Sequence, residues 1–120
     1  MRAPDCIFCK IIAGEIPSTK VYEDKNTLAF DDIDPKAPVH VLIVPKTHII
    51  NLDDINKDNS KIMSDIFETV NEVVRVKGLH GKGYRIIINN GKTAGQEVFH
   101  LHVHVLGGRE RMGPMLKADG

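Results

Sequence analysis

His100, His102 and His104 alternate with Leu101, Val103 and Val105 and run on into Leu106-Gly107-Gly108. A period of two puts alternate residues on opposite faces of a strand. Phe99, Leu101, Val103 and Val105 are therefore expected to face a core, while the three imidazoles share the other face. Same-face neighbours on a strand lie roughly 6.5–7 Å apart, so adjacent histidines can share one substrate but a single small metal ion can hardly take all three. Imidazole is the side chain that changes charge near neutral pH. A file of three suits nucleophilic attack, proton transfer and contact with an anion. Chance scatter or a histidine-rich metal tract would not require the regular apolar interleaving.

Ahead of this stretch runs Asn89-Asn90-Gly91-Lys92-Thr93-Ala94-Gly95-Gln96. Its glycines let backbone N–H groups approach an anion, and imidazole beyond them supplies a nucleophile and further donors, a combination that suits a phosphate. Which histidine attacks does not follow from spacing. A further histidine, His40, sits among apolar residues in Val39 to Val44 and reads by itself as a paired core residue. Cys6 and Cys9 form a C-x-x-C pair. Two thiolates supply half of a tetrahedral zinc shell, and His48, His80 or the triad member nearest the first helix are candidates for the rest. A redox pair is the alternative, although no thioredoxin-like βαβ order surrounds it.

The pattern at His100-Leu101-His102-Val103-His104-Val105-Leu106 resembles the signature of the histidine triad (HIT) family of nucleotide hydrolases and transferases. The likeness runs from Asp5 to about Leu116 and is strongest to the bacterial-type nucleotide-binding, nucleoside phosphoramidase branch. It implies a purine nucleoside 5′-phosphoramidate split to nucleoside monophosphate and amine through a nucleotidyl intermediate. His102 would be the nucleophile, His104 a hydrogen-bond donor to the transferred phosphate, and His40, within Pro35-Lys36-Ala37-Pro38-Val39-His40, a supporting group. By the same likeness Asp32 holds the ribose hydroxyls, Phe8, Ile11, Phe30 and Ile33 surround the base, and Asn89, Gly95 and Gln96 lie on the phosphate side. Those apolar residues, with Leu42, read from composition as equally good core. Where eukaryotic members carry serine this chain has Glu97, which bears on the leaving group. Relatives with the cysteine pair imply a Cys6, Cys9, His48, His100 zinc site, so that His100 belongs both to the triad and to the metal. Rival readings are a dinucleoside polyphosphate hydrolase, a nucleotide-binding interaction protein with incidental turnover, and a zinc hydrolase with metal on the strand histidines.

The elements that must position these groups are legible from pattern. With 120 residues the chain is expected to form one domain, 1–120. Sixteen basic and sixteen acidic residues cancel, and without a basic stripe no nucleic acid partner is expected. No apolar leader or membrane-length run is visible, so a cytoplasmic protein without membrane contact is expected. A short helix over residues 6–13 is expected, capped by Asp5 and stopped by Gly14. Strands follow at 19–23, 27–31 and 39–44, with a proline-containing loop at 32–38 and one helical turn at 53–55. A long helix over 60–77, capped by Asp58 or Asn59, carries the stripe Met63, Ile66, Phe67, Val70, Val73 and Val74. Strands at 84–89 and 99–106 complete an α+β fold with an antiparallel sheet. Family likeness makes that sheet five-stranded and extends it across a homodimer.

Overall fold

The structure, a computed structural model, describes residues 3–114, so the Met1–Arg2 start and the end of the likeness near Leu116 lie outside the described residues. In chain order the elements are α1 (Ile7–Ile12), β1 (Lys20–Glu23), β2 (Thr27–Asp31), β3 (Val39–Pro45), α2 (Lys61–Val76), β4 (Tyr84–Ile87) and β5 (Val103–Gly107). Short 3₁₀ turns lie at Leu52–Asp54 and Lys92–Ala94. The strands form one five-stranded antiparallel sheet in the order β1-β2-β3-β5-β4.

The sheet separates two apolar clusters. On one face α2 lays Ile66, Val70, Val73 and Val74 against Ala29, Val41, Ile43, Leu101, Val103 and Val105. On the other, α1 contributes Phe8 and Ile11 to Leu28, Phe30, Leu42 and Val44. Strand alternation produces this division: Val41 and Ile43 point one way, Leu42 and Val44 the other. Leu42 pairs with His104 across the β3–β5 ladder, which puts His104 on the α1 face. Both helices end as the glycines predict. Gly14 and Gly78 take positive φ (80° and 72°), and Leu79 N–H returns to the Val74 carbonyl at 2.8 Å.

Several local expectations are corrected. The first helix is capped by the Cys6 thiol, which accepts the Cys9 N–H, and not by Asp5. Neither Asp58 nor Asn59 caps α2; its N-cap is Ser60, without a side-chain hydrogen bond. Asn59 Oδ1 accepts the Asn56 N–H instead. Phe67 is 47 % exposed because burial on α2 centres on Ile66, Thr69, Val70 and Val73. The last strand begins at Val103 instead of Phe99. Upstream of it the chain is held by side chains and by one bond from Leu101 N–H to the Ile49 carbonyl at 2.7 Å. Phe99 is 48 % exposed, yet Leu101, Val103 and Val105 keep their alternation in the α2 core.

Ile66 is wholly buried at the centre of the α2 face. Replacing it by alanine is expected to lower unfolding stability by about 2–5 kcal/mol. Glu68→Gln, on the exposed side of the same helix, should change it by less than about 0.5 kcal/mol. Urea midpoints of the two variants check both figures.

Candidate active site and metal cluster

His40, His102 and His104 meet on the α1 face, and backbone groups decide, directly or through a neighbouring ring, where each proton sits. His102 Nδ1 lies 2.8 Å from the His100 carbonyl. A carbonyl only accepts, so Nδ1 carries the hydrogen and Nε2 the bare lone pair. His40 shows the opposite arrangement: the Lys36 N–H donates to its Nδ1 at 3.0 Å. Its hydrogen must then sit on Nε2, which donates to His104 Nδ1 at 2.8 Å. That leaves His104 with its hydrogen on Nε2, the buried side-chain polar atom without a partner among the described residues. A buried donor left unmade costs about 1–3 kcal/mol, and an incoming anion would relieve that cost.

The rings are packed tightly enough to keep these directions. His102 and His104 centroids are 5.1 Å apart, and Phe8 stands edge-on to His102 at 5.1 Å and 84°. Burial pushes the His40 and His102 pKa values below the usual histidine range. For His104 burial, joined by the nearby His102 and His40, brings it down to about 4. Each ring is thus neutral at pH 7 and holds the one hydrogen assigned above. The pair of a bare Nε2 on His102 and a donor Nε2–H on His104 can attack phosphorus and steady its oxygens.

The remaining residues named from the sequence divide. Phe8, Ile11, Phe30 and Leu42 come together as the apolar floor beside the triad. Ile33, in contrast, is 99 % exposed and stands apart from that cluster. Asp32 lies beside His40, with Oδ2 3.4 Å from Nε2, while its Oδ1 accepts the Asp34 N–H at 2.8 Å. Asn89 is half-buried, and Gly95 is exposed with a left-handed backbone. Gln96 is buried and its amide is fully engaged: Oε1 accepts from Gly91 N–H and Asn51, and Nε2 donates to the Ile50 and Val98 carbonyls. Its side chain is committed to holding the 89–96 loop. Glu97 is exposed on the rim. The Lys36 ammonium is raised chiefly by Asp34, with Asp32 and Glu97 adding to the effect. What sequence reasoning missed are main-chain groups, the Lys36 N–H and the His100 and Pro45 carbonyls, which no side-chain pattern announces.

His100 turns away from the other triad members. It is fully buried, and its Nε2 donates to the Pro45 carbonyl at 2.8 Å, which leaves Nδ1 bare. That atom lies 3.1 Å from His48 Nδ1, 3.3 Å from Cys6 Sγ and 3.6 Å from Cys9 Sγ. His48 Nδ1 is 3.4 Å from Cys9 Sγ. Donors on a tetrahedral zinc shell sit about 3.3–3.8 Å apart, given metal distances near 2.0 Å to nitrogen and 2.3 Å to sulfur. The donor set therefore fits a metal, with a second hydrogen bond fixing the ligand tautomer of His100. His80, the other candidate, is exposed. Asp32, His40 and His104 also lie within 4.8 Å of one another. They fit a cation poorly, because the Lys36 N–H forces the His40 hydrogen onto the nitrogen that would bind.

A family model described as the HIT domain matches residues 13–111. The chain belongs to the HIT family. Among curated HIT relatives, the purine nucleoside phosphoramidase of Escherichia coli (strain K12) is 41 % identical over 118 residues, covering 98 % of this chain and 98 % of that protein. A HIT family hydrolase from Clostridium thermocellum superposes with a TM-score of 0.92 at 52 % identity, over 97 % of this chain and 100 % of that one. A histidine triad protein from Clostridium difficile gives 0.90 at 49 % identity, over 95 % and 99 %. The HIT match starts after the cysteine pair, so the candidate metal cluster draws half its donors from outside it.

His104 yields a prediction about pH. Its folded pKa of about 4 lies below the ~6.5 of an unfolded histidine, so the unfolded chain binds more protons between those values. Its contribution to stability is present above pH ~6.5 and is lost as pH falls towards 4. Urea midpoints of chelator-treated protein should drop over that window, and drop less in His104→Gln, which cannot take the proton.

Proposed function

We propose that this chain hydrolyses purine nucleoside 5′-phosphoramidates, adenosine or guanosine, to nucleoside monophosphate and amine. The observation that carries the reading is the opposed pair of His102 and His104: one bare Nε2 and one unpartnered Nε2–H on the same sheet face. His102 Nε2 attacks phosphorus, the phosphorus–nitrogen bond breaks, and the amine departs with a proton from solvent. The first hydrogen on His102 stays on Nδ1, where the His100 carbonyl steadies the imidazolium of the nucleotidyl intermediate. His104 donates to a phosphoryl oxygen in both steps. Water then displaces the nucleotide and returns the lone pair to Nε2. The base would rest against the apolar floor of Phe8, Ile11, Phe30 and Leu42, with Asp32 accepting from the ribose hydroxyls. The E. coli relative's name supports this choice over the dinucleoside polyphosphates.

The reading includes a structural zinc held by Cys6, Cys9, His48 and His100. When bound, it would tie α1 and the 45–48 segment to the start of the triad and supply no reactive water, since four protein donors fill its shell. It also includes a homodimer that continues the sheet. The edge strand β4 and the exposed Phe67, Val76 and Tyr84 support that assembly. No helix among the described residues is long and apolar enough to cross a membrane. Two unpaired thiols accord with a reducing, cytoplasmic setting.

His102→Ala should abolish turnover of adenosine 5′-phosphoramidate while leaving AMP affinity within a few-fold, by calorimetry. His104→Ala should slow turnover about 10²–10³-fold, the loss of one oxyanion donor. Radiolabelled substrate quenched in alkali should leave a nucleotidyl group on wild type. Label mapping to another histidine, or none on a protein that turns over, would contradict the mechanism. Cys6→Ala should release zinc, measured by atomic absorption, and lower the melting temperature more than it lowers kcat.

A further inference from the structure

The loop over residues 32–38 carries the Lys36 N–H that sets the His40 tautomer, yet little holds it. Residues 33–36 are exposed, and Pro35 and Pro38 have no N–H to donate. Within the loop, Asp34 N–H bonds Asp32, and Lys36 Nζ bonds the Asp34 carbonyl and carboxylate. Two hydrogen bonds reach β3, both to His40, Asp32 N–H to its carbonyl and Lys36 N–H to its Nδ1, beside the longer Asp32 Oδ2 contact with its Nε2 at 3.4 Å. The other outside hold comes from beyond β5, where Arg109 Nη2 donates to the Lys36 carbonyl at 2.6 Å. Lys36 is thus gripped from both sides, by Arg109 on its carbonyl and by His40 on its N–H.

The approach of the two segments is built in at Gly108. Its φ is +90°, and a Cβ there would stand 3.0 Å from Pro38 Cβ and 3.4 Å from Val39 N. Only glycine lets the chain turn so close to the loop and deliver the guanidinium to Lys36.

We propose that Arg109 is a positioning residue for the reaction: by clamping the Lys36 carbonyl it holds the Lys36 N–H on His40 Nδ1. That bond keeps the His40 hydrogen on Nε2 and, through His104 Nδ1, the His104 hydrogen on the side that faces the reacting group. Arg109 touches neither imidazole and acts through the loop. Without the clamp the Lys36 N–H swings away, His40 is free to carry its hydrogen on Nδ1, and His104 can lose its donor. The inference rests on the roles given to His40 and His104, but one of its consequences needs no substrate.

The test is hydrogen exchange of backbone amides in the resting protein, beside steady-state kinetics. In Arg109→Met the Lys36 amide should exchange at least about tenfold faster, a local opening, while Val41 and Ile43 in β3 keep wild-type rates. With adenosine 5′-phosphoramidate, kcat should fall by about 10- to 100-fold, the scale for a misplaced catalytic group, with KM changed less than about threefold. Arg109→Lys, which keeps a donor, should restore most of both. Gly108→Ala, which retains the guanidinium but forces the segments apart, should reproduce the fast Lys36 exchange. Unchanged Lys36 exchange in Arg109→Met overturns the clamp whatever the activity. Fast exchange with unchanged kcat on any substrate the wild type turns over overturns the link to catalysis. If wild type does not turn over the phosphoramidate while the exchange result holds, the substrate assignment fails and the clamp stands.

Discussion

The hydrogen bond between His102 Nδ1 and the His100 carbonyl determines what the rest of the site can do. A neutral imidazole offers one donor and one acceptor, and a carbonyl takes the donor. The lone pair of His102 is thereby turned away from the backbone and towards the α1 face. The same logic runs through His40 and His104 in the opposite sense, starting from a backbone N–H. Two adjacent rings of identical chemistry become one with a bare Nε2 and one with a free Nε2–H donor. Burial reinforces the division by keeping the rings neutral.

Helix α1 joins the two clusters. With six residues it is too short to persist alone. Cys6 and Cys9 fix its start among His48 and His100, and Phe8, between them, reaches both His100 at 5.9 Å and His102 at 5.1 Å. The cysteine cluster and the apolar floor therefore act on one small element, and that element packs on His102. His100 serves both sides: its ring enters the cysteine cluster while its carbonyl orients His102.

Much of this was legible in the sequence because it follows from periodicity. The alternation at 101–105 placed Leu101, Val103 and Val105 in the core and the histidines opposite. Leu42 and Val44 were separated from Val41 and Ile43 by the same rule. Gly14 and Gly78 ended their helices because they alone adopt the left-handed turn without strain. The errors have one physical source. The cap at Cys6 and the absence of strand pairing before Val103 both depend on bonds made with main-chain groups. Main-chain groups occur at every residue, so sequence cannot say which will be used. Phe67 was expected on the covered stripe of α2, but the described chain leaves it exposed.

The central claim is that backbone hydrogen bonds fix complementary tautomers on His102 and His104. Two-bond ¹⁵N–¹H correlation spectra of uniformly labelled, ligand-free protein at pH 7 read those tautomers directly. The account predicts His102 protonated on Nδ1 and bare on Nε2, beside His104 protonated on Nε2. A His102 ring protonated on Nε2, or a His104 ring protonated on Nδ1, would contradict it.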